Sequence, residues 1–572
     1  MPMHNAEIAA MLIRLADLLE IEGDNPFRVR AYRNAAQVIQ GLSRSVADMI
    51  AAGEDLSRLP GIGPAICKKL QEMASTGHLG ALEREEHHVP PTLVDLLKIP
   101  ALGPKRVHQL YEKLGIATRE QLTDAARGGK LRDVPGLGAK TEQKILTFLE
   151  QRREGEERTL LAVADEVVQA LLEALRATPG VKEVTAAGSY RRRAETVGDL
   201  DIVATGAQSA AILQRFVGYD EVKEVLARGP TKASVLLRGG LQVDLRVVPG
   251  VSYGAALHYF TGSKAHNIAV RTRAVKRGLK INEYGVFRGG RRIAGRTEEE
   301  VYAATGLPFI PPELRENRGE IAAAEQHALP KLIEPGDIRG DLHVHTKESD
   351  GRATLEEMAA AAQAAGYEYM VVSDHSKRLT MAHGLNPTRL AQQIRAIDRF
   401  NAQTDGCHVL KATEVDILED GSLDLPDDIL SELDIVVGAV HYRFELSREK
   451  QTERILRALD NPLLNILAHP TGRLIGERAP YDVDMERILR AAAERGCALE
   501  INGQPARLDL NDVHCKAARD LGVRLALSTD AHTPSELGFM RYCLGQARRG
   551  WLTAKDVVNT LHLPDLRKWA RP

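Results

Sequence analysis

The C-terminal part of the chain contains seven short apolar segments. They run over 340–345, 367–375, 408–417, 433–441, 463–470, 497–503 and 523–532. Amphipathic helical patterns, such as TLEEMAAAAQAAG and MERILRAAAERG, lie between most of them. Strands that alternate with helices pair in parallel, because each helix carries the chain back to the starting edge of the sheet. The pattern therefore predicts a closed or distorted barrel of seven β/α units.

Histidine and carboxylate side chains stand at or just after the ends of these segments. They are His343, His345, Asp350, His375, Glu414, His441, His469, Asp530 and His532. A single histidine at a strand end is more often a hydrogen-bonded core residue. The carboxyl ends of barrel strands share one rim, however, so nine such side chains there favour a metal site. Imidazole and carboxylate suit Zn²⁺, Mn²⁺ or Fe²⁺, and nine ligands are too many for one ion and enough for three.

A second acidic cluster lies in GSYRRRAETVGDLDIV, residues 188–203. Asp199 and Asp201 are one residue apart at the start of an apolar run, so in a strand they share a face. In LQVDLRVV, the alternation puts Asp244 on the polar face of a neighbouring strand. Three converging carboxylates predict a site for Mg²⁺ or Mn²⁺. Two such ions about 4 Å apart clamp the attacking and leaving oxygens of a phosphoryl displacement.

The residues around this cluster indicate a small α+β domain that binds a phosphate. Strand-like pieces of antiparallel type (VKEVTAAGS, LDIVAT, KASVLLR and LQVDLRVV) follow a helix over 159–175. Gly188 and Ser189 can offer a backbone N–H and a hydroxyl to a phosphate, and Arg192 can neutralise its charge.

Three similar turns occur in the first 150 residues: LPGIGPAICKKL, IPALGPKRVHQL and VPGLGAKTEQKIL. Their glycines are Gly61, Gly63, Gly103, Gly136 and Gly138, and the middle copy has Ala101 where the others have glycine. Each turn resembles the helix-hairpin-helix DNA-binding motif. Glycine lets the backbone approach a phosphate, and the free N–H groups of the second helix point at the anion. Ordinary helix corners are the alternative, and three copies favour DNA.

Length and composition limit the remaining choices. A chain of 572 residues predicts several domains. Five cysteines are scattered singly, which favours reduced thiols and a cytoplasmic setting. No run of 18 apolar residues occurs, so we expect no membrane span. The net charge of −2 by itself favours no partner.

The order GS, GDLD, VDLR and YFTGS resembles the nucleotidyltransferase core of family X DNA polymerases, the polymerase beta-like group. The resemblance covers most of residues 1–317. It implies that Asp199, Asp201 and Asp244 are catalytic and hold two metal ions. It implies nucleotide binding by Gly188, Ser189, Arg192, Gly198, Tyr259, Phe260, Gly262 and Asn267. It also offers Lys69 as a Schiff-base nucleophile toward abasic sites, and a solvated lysine along DNA phosphate remains an equal alternative.

The nine ligands resemble the pattern of the PHP (polymerase and histidinol phosphatase) domain, over about residues 337–572. That resemblance implies a metal-dependent phosphoesterase with up to three ions of Zn²⁺ or Mn²⁺. We expect these parts along the chain: a helical hairpin domain (1–90), a second helical DNA-binding subdomain (91–155), a palm (156–250), nucleotide-binding fingers (251–317), a linker (318–336) and the PHP domain (337–572).

Together these resemblances imply a bacterial repair polymerase that fills short gaps and carries a metal-dependent 3′–5′ exonuclease. Whether it also has an abasic-site endonuclease activity is left open. The expected partners are gapped or nicked double-stranded DNA and dNTPs, and the expected state is a monomer in the cytoplasm. Two alternatives remain: mainly a nuclease whose polymerase core positions DNA, or a DNA-binding scaffold with a structural barrel.

Overall fold

A computed structural model of the chain describes residues 5–40, 46–59, 61–97, 99, 102–151 and 158–570. The chain divides into two compact units, Met1–Glu156 and Glu157–Pro572. Ala101 and the expected domain border at residues 155–156 lie outside the described residues. Within the described part of the chain, none of the helices is long and apolar enough to cross a membrane.

The first unit is helical. Its helices are α1 (Asn5–Glu22), α2 (Pro26–Gln40), α3 (Val46–Ala51), α4 (Pro64–Thr76), α5 (Gly80–His88), α6 (Leu93–Leu96), α7 (Pro104–Leu114), α8 (Arg119–Arg127) and α9 (Ala139–Gln151). Helix α4 begins after Gly63 with proline in its first turn, and it ends at Gly77, which has the left-handed φ of 74° that favours glycine. Helix α7 begins and ends in the same way, at Gly103 and Gly115. The predicted turns therefore separate real helices.

The palm region has a five-stranded sheet in the order β2-β4-β7-β6-β5. Its elements are β1 (Thr159–Leu160), α10 (Leu161–Arg176), β2 (Val181–Ala186), α11 (Gly188–Arg191), β3 (Thr196–Val197), β4 (Asp199–Gly206), α12 (Ser209–Val217), β5 (Val222–Arg228), β6 (Lys232–Leu237) and β7 (Gln242–Val247). The expectation of antiparallel strands is wrong for the central pair, because β4 and β7 are parallel. Helix α12 and the β5–β6 hairpin form the long connection that a parallel pair requires.

A smaller helical and three-stranded region follows the palm. It contains α13 (Tyr253–Thr261), α14 (Lys264–Lys276), β8 (Lys280–Asn282), β9 (Gly285–Arg288), β10 (Arg291–Ala294), α15 (Glu298–Ala304) and α16 (Glu320–Glu325). The strands form an antiparallel sheet in the order β10-β9-β8. Gly262 lies between α13 and α14 with φ 66°, a backbone conformation that suits glycine.

The last part is a seven-stranded parallel sheet in chain order, β11 to β17, as the sequence predicts. Its elements are β11 (Gly340–Val344), α17 (Leu355–Ala364), β12 (Tyr369–Val372), α18 (Pro387–Gln403), β13 (His408–Asp416), α19 (Asp427–Leu430), β14 (Ile435–Ala439), α20 (Arg448–Leu459), β15 (Ile466–Leu467), α21 (Met485–Arg495), β16 (Ala498–Asn502), α22 (Asp512–Asp520), β17 (Leu525–Ser528), α23 (Met540–Arg549) and α24 (Leu563–Ala570). Val344 pairs in parallel with Ala531, so the first and last strands meet and the barrel nearly closes.

Candidate functional sites

The palm carboxylates lie on two adjacent strands. Asp201 and Asp244 are directly opposite each other in the parallel pairing of β4 with β7, and Asp199 is opposite Gln242. Asp199 is exposed, whereas Asp201 is half-buried. Gln242 donates a hydrogen bond from Nε2 to Asp244 Oδ1 at 3.2 Å, which orients that carboxylate. The sheet therefore brings together the three residues that the sequence proposed as ligands.

Burial and two neighbouring carboxylates dominate the electrostatics of Asp201, although Arg246 and Arg192 act in the opposite direction. Burial, together with the negative charges of Asp199 and Asp244, raises the pKa of Asp201 from its ordinary 3.8 to about 7. Gly188, with φ 61°, lies against it: a Cβ there would be 3.0 Å from Asp201 Oδ2. A bound cation would offset the repulsion among the three carboxylates, and the chemistry of the set fits Mg²⁺ or Mn²⁺.

Arg192 and Gly262 lie beside each other near the palm carboxylates. The Arg192 guanidinium donates from Nη1 to the carbonyl oxygen of Thr261 at 2.6 Å and from Nε to Glu316 Oε1 at 3.0 Å. A Cβ at Gly262 would be 3.3 Å from Arg192 Nη1, so this turn approaches the guanidinium closely. Ser189 is half-buried in α11, and Gly198, also half-buried, directly precedes β4.

The YFTGS segment places two aromatic rings and an amide beside each other. Tyr259 and Phe260 are in edge contact, with ring centroids 5.1 Å apart, and Arg246 lies over the Phe260 ring. Asn267 donates from Nδ2 to the backbone oxygen of Tyr259 at 2.7 Å. Its Oδ1 is buried and accepts no hydrogen bond from any described residue. An unpaired buried acceptor is costly, so this oxygen fits a ligand that donates to it.

The predicted barrel ligands lie closer to one another than the palm carboxylates do. In the described part of the chain, three groups have ligand atoms within 4.8 Å of one another: His345, Asp350, His375 and His532; His343, His345 and Asp530; and His375, Glu414 and His441. His469 joins them through Glu414, whose Oε1 is 2.9 Å from His469 Nε2. The palm carboxylates are not among these groups, so they stand further apart. All nine predicted ligands thus meet at one rim.

Burial and charge set the protonation of these imidazoles. Burial, with His532 and His375 nearby, lowers the pKa of His345 to about 4, so this ring is neutral and able to bind a metal. Burial also opposes a charge on His375, but Glu414 and Asp350 outweigh it and raise its pKa to about 10. The carboxylates among the rings suit a cation, and the mixed imidazole and carboxylate set fits Zn²⁺ or Mn²⁺.

Two carboxylates that the sequence reasoning missed orient these rings. Glu500 Oε1 is 2.7 Å from His343 Nδ1, and Asp416 Oδ1 is 3.0 Å from His441 Nδ1. A partner on the second ring nitrogen fixes the orientation of a ligating histidine and increases its basicity. Glu500 lies in the strand segment CALEING, the one apolar segment for which the sequence predicted no ligand. Its position near the end of that strand, at the rim shared by the other ligands, was the signal that could have identified it.

The backbone at most of the hairpin glycines is uncovered by neighbouring atoms. A Cβ at Gly61, Gly63, Gly103 or Gly138 would meet no atom within 4 Å among the described residues. Gly136 is the exception, since its Cβ would lie 3.7 Å from the Arg106 guanidinium. Lys69, on α4, is half-buried beside the exposed Lys68. The geometry of these turns is that of a backbone surface which a phosphate can approach.

Comparison with known proteins matches each part of the chain to a described family. The helix-hairpin-helix domain matches residues 3–79, and the SAM-like helix-hairpin-helix tandem matches 93–151. The DNA polymerase beta thumb matches 256–316, and the PHP domain matches 341–504. The DNA polymerase/3′-5′ exonuclease PolX of Bacillus subtilis is 39% identical over 573 aligned residues, which cover 100% of both chains.

The chain belongs to the family X DNA polymerases that carry a C-terminal PHP domain. Two other relatives each match only part of this chain. DNA polymerase lambda of Arabidopsis thaliana is 27% identical over 54% of this chain and 62% of its own length. A probable phosphatase of Thermoanaerobacter sp. (strain X514) is 32% identical over 38% of this chain and 89% of its own. The predicted family, fold class and hairpin repeats are therefore confirmed.

Proposed function

We propose that this family X polymerase fills short gaps during DNA repair of the base excision type, and that its barrel is a metal-dependent 3′–5′ exonuclease. The observation that carries the proposal is the presence of two separate ligand sets, one on β4 and β7 and one at the barrel rim. The name of the B. subtilis relative, DNA polymerase/3′-5′ exonuclease, supports both activities.

In the palm, Asp199, Asp201 and Asp244 would hold two ions of Mg²⁺ or Mn²⁺. Bound there, the ions supply charge stabilisation for the attacking and leaving oxygens of nucleotide transfer. Arg192, Ser189 and Gly188 bind the triphosphate of the incoming dNTP.

The Tyr259–Gly262 turn and Asn267 pack against the sugar and base of the dNTP. The free Asn267 Oδ1 is the acceptor that a base amino group would satisfy. The ring of Tyr259 crowds the sugar where a ribonucleotide carries its 2′-hydroxyl.

In the barrel, the nine rim ligands would hold up to three ions of Zn²⁺ or Mn²⁺, which supply Lewis acidity for phosphodiester hydrolysis. Glu500 and Asp416 keep the rings of His343 and His441 in ligating orientation. An abasic-site endonuclease activity would belong to the same rim.

The hairpin turns bind the backbone of gapped or nicked duplex DNA without reading its sequence. Lys69 is tested directly by borohydride trapping of a Schiff base on abasic DNA, and a trapped adduct lost in Lys69→Ala would make it the nucleophile. We also propose that the chain is a monomer and that its parts have the bounds 1–90, 91–155, 156–250, 251–317, 318–336 and 337–572. The five cysteines, all free thiols, support a cytoplasmic setting.

One assay separates this proposal from a pure nuclease and from a scaffold. Primer extension on a short-gap duplex is run with Mg²⁺ or Mn²⁺, with and without dNTPs. We expect Asp201→Ala to abolish extension and keep 3′–5′ shortening, and His343→Ala to do the reverse. Loss of both activities in one well-folded variant would refute two independent sites, and a wild-type protein that does neither is a scaffold.

A further inference from the structure

The barrel helix α23 packs directly against the segment that follows α11 in the palm. Gly545 allows a close approach, because a Cβ there would lie 3.3 Å from the Cβ of Arg193. Nearby, Arg473 pairs with Glu195 at 2.7 Å. The stretch from Arg192 to Glu195, which leads to the aspartates of β4, is thus held from the barrel side.

Arg549, at the end of α23, joins the barrel to the backbone of Arg192 and to two carboxylates. Its Nη1 donates to the backbone oxygen of Arg192 at 2.8 Å and to Glu316 Oε1 at 2.9 Å. Its Nη2 donates to Asp512 Oδ2 at 2.6 Å, and Arg318 donates to the same oxygen at 2.9 Å. The Arg549 side chain is only 7% exposed, so its own contacts are largely shielded from water and salt.

Glu316 joins Arg549 to the guanidinium of Arg192. The same Glu316 oxygen, Oε1, accepts from Arg192 Nε and from Arg549 Nη1. Burial works against the charge of Glu316, but Arg192 and Arg549 outweigh it and hold the pKa of that carboxyl below its ordinary range. Arg192 uses Nε for Glu316 and Nη1 for Thr261, and none of the described residues accepts from Nη2, which can therefore face a ligand.

We propose that Arg549 is a positioning residue of the nucleotide site: it clamps the backbone of Arg192 and fixes the shared carboxylate that aims the Arg192 guanidinium. The inference deepens the proposed polymerase function and rests on it. An arginine serves because its fixed fork reaches Glu316 and the Arg192 carbonyl with Nη1 and Asp512 with Nη2, whereas lysine carries all its donors on one nitrogen. Nucleotide affinity therefore depends on a helix of the PHP half.

The test compares Arg549→Lys with a matched control on the same helix, Arg548→Lys. Arg548 also pairs across this interface, with Glu313 at 2.8 Å, but it does not touch Arg192. We measure KM and kcat for dNTP on a one-nucleotide gap, exonuclease rate without dNTP, and equilibrium dNTP binding with a dideoxy-terminated primer. Glu316→Gln, which keeps both arginines and the side-chain volume, covers the case in which Arg549→Lys does not fold.

We expect Arg549→Lys to raise KM and weaken dNTP binding about tenfold or more, since small misplacements of a binding group are costly. The exonuclease rate should stay within about twofold, Arg548→Lys should resemble wild type, and Glu316→Gln should follow Arg549→Lys. In an Arg192→Lys background, Arg549→Lys should add little, because both act through one group.

Two results would overturn the inference: equal losses in Arg548→Lys and Arg549→Lys, or additive losses in the double variant. A wild-type protein that binds dNTP in an Arg549-dependent manner but adds no nucleotide would refute the polymerase function and leave the positioning role in place. A wild-type protein that binds no dNTP would overturn both.

Discussion

Replacing Asp201 by asparagine should stabilise the metal-free protein, although it destroys the proposed catalytic site. The raised pKa of Asp201 means that the folded state disfavours its ionised form. An asparagine has the same shape and no charge, so it removes the repulsion with Asp199 and Asp244. The stabilisation thus measures the sum of two penalties on the ionised carboxylate: its burial and its repulsion by Asp199 and Asp244.

The magnitude follows from the shift in pKa. A rise from 3.8 to about 7 corresponds to about 4 kcal/mol of unfavourable free energy once the group is ionised in both states. Below pH 4 the carboxyl is protonated in the folded and the unfolded chain, and the penalty is absent. Stability is lost as pH rises from about 4 to about 7, and the full penalty applies above that range.

The assay is thermal unfolding in EDTA at pH 5 and pH 8. We expect the melting temperature of Asp201→Asn to exceed that of wild type by about 5 °C at pH 8 and by less at pH 5, for a cooperative unit of this size. Excess Mg²⁺ should reverse the order, because only wild type keeps the full ligand set. The control Asp220→Asn, at an exposed palm position, should change little. Equal melting temperatures at pH 8 in EDTA would show that neither burial nor the neighbouring carboxylates penalise the ionised Asp201.

Three further predictions concern the barrel rim. His343→Ala should eliminate exonuclease activity and lower bound metal per chain while gap filling stays measurable, and wild-type rates would refute the nine-ligand site. Glu500→Gln should weaken metal binding about 10- to 100-fold by freeing the His343 ring, as read by metal titration, and unchanged affinity would mean that Glu500 orients nothing. Metal uptake by the chelated protein should strengthen from pH 6 to pH 9 and release protons. Burial lowers the pKa of His375 and of His532, but the neighbouring carboxylates outweigh it and raise these pKa values to about 10 and about 9, so each ring must lose a proton before it binds a metal. An affinity that does not change with pH would contradict this.

Tyr259→Ala is expected to relax the preference for dNTP over rNTP only in part. The variant keeps the Tyr259 backbone oxygen, which Asn267 Nδ2 holds in place, and the backbone of the turn can still discriminate. A ratio of incorporation equal to that of wild type would place all discrimination in the backbone of the turn.

Local patterns in the sequence determined most of the architecture. Apolar runs alternating with amphipathic ones predicted the parallel barrel, because the crossover constraint allows few other arrangements. The period of two in a strand put Asp199 and Asp201 on one face, and the strand-end rule placed nine ligands at one rim. Proline and glycine spacing located the hairpin turns, since these residues carry backbone preferences of their own.

Only the tertiary structure decided which elements lie beside each other. The sequence put Asp244 on a strand near Asp201, but the parallel register that sets them opposite depends on the crossover between β4 and β7. Glu500 meets His343 across 157 residues of chain, and Arg549 meets Arg192 across 357. Periodicity describes the environment of one element at a time. Contacts between distant elements depend on the packing of whole layers, which no local pattern encodes.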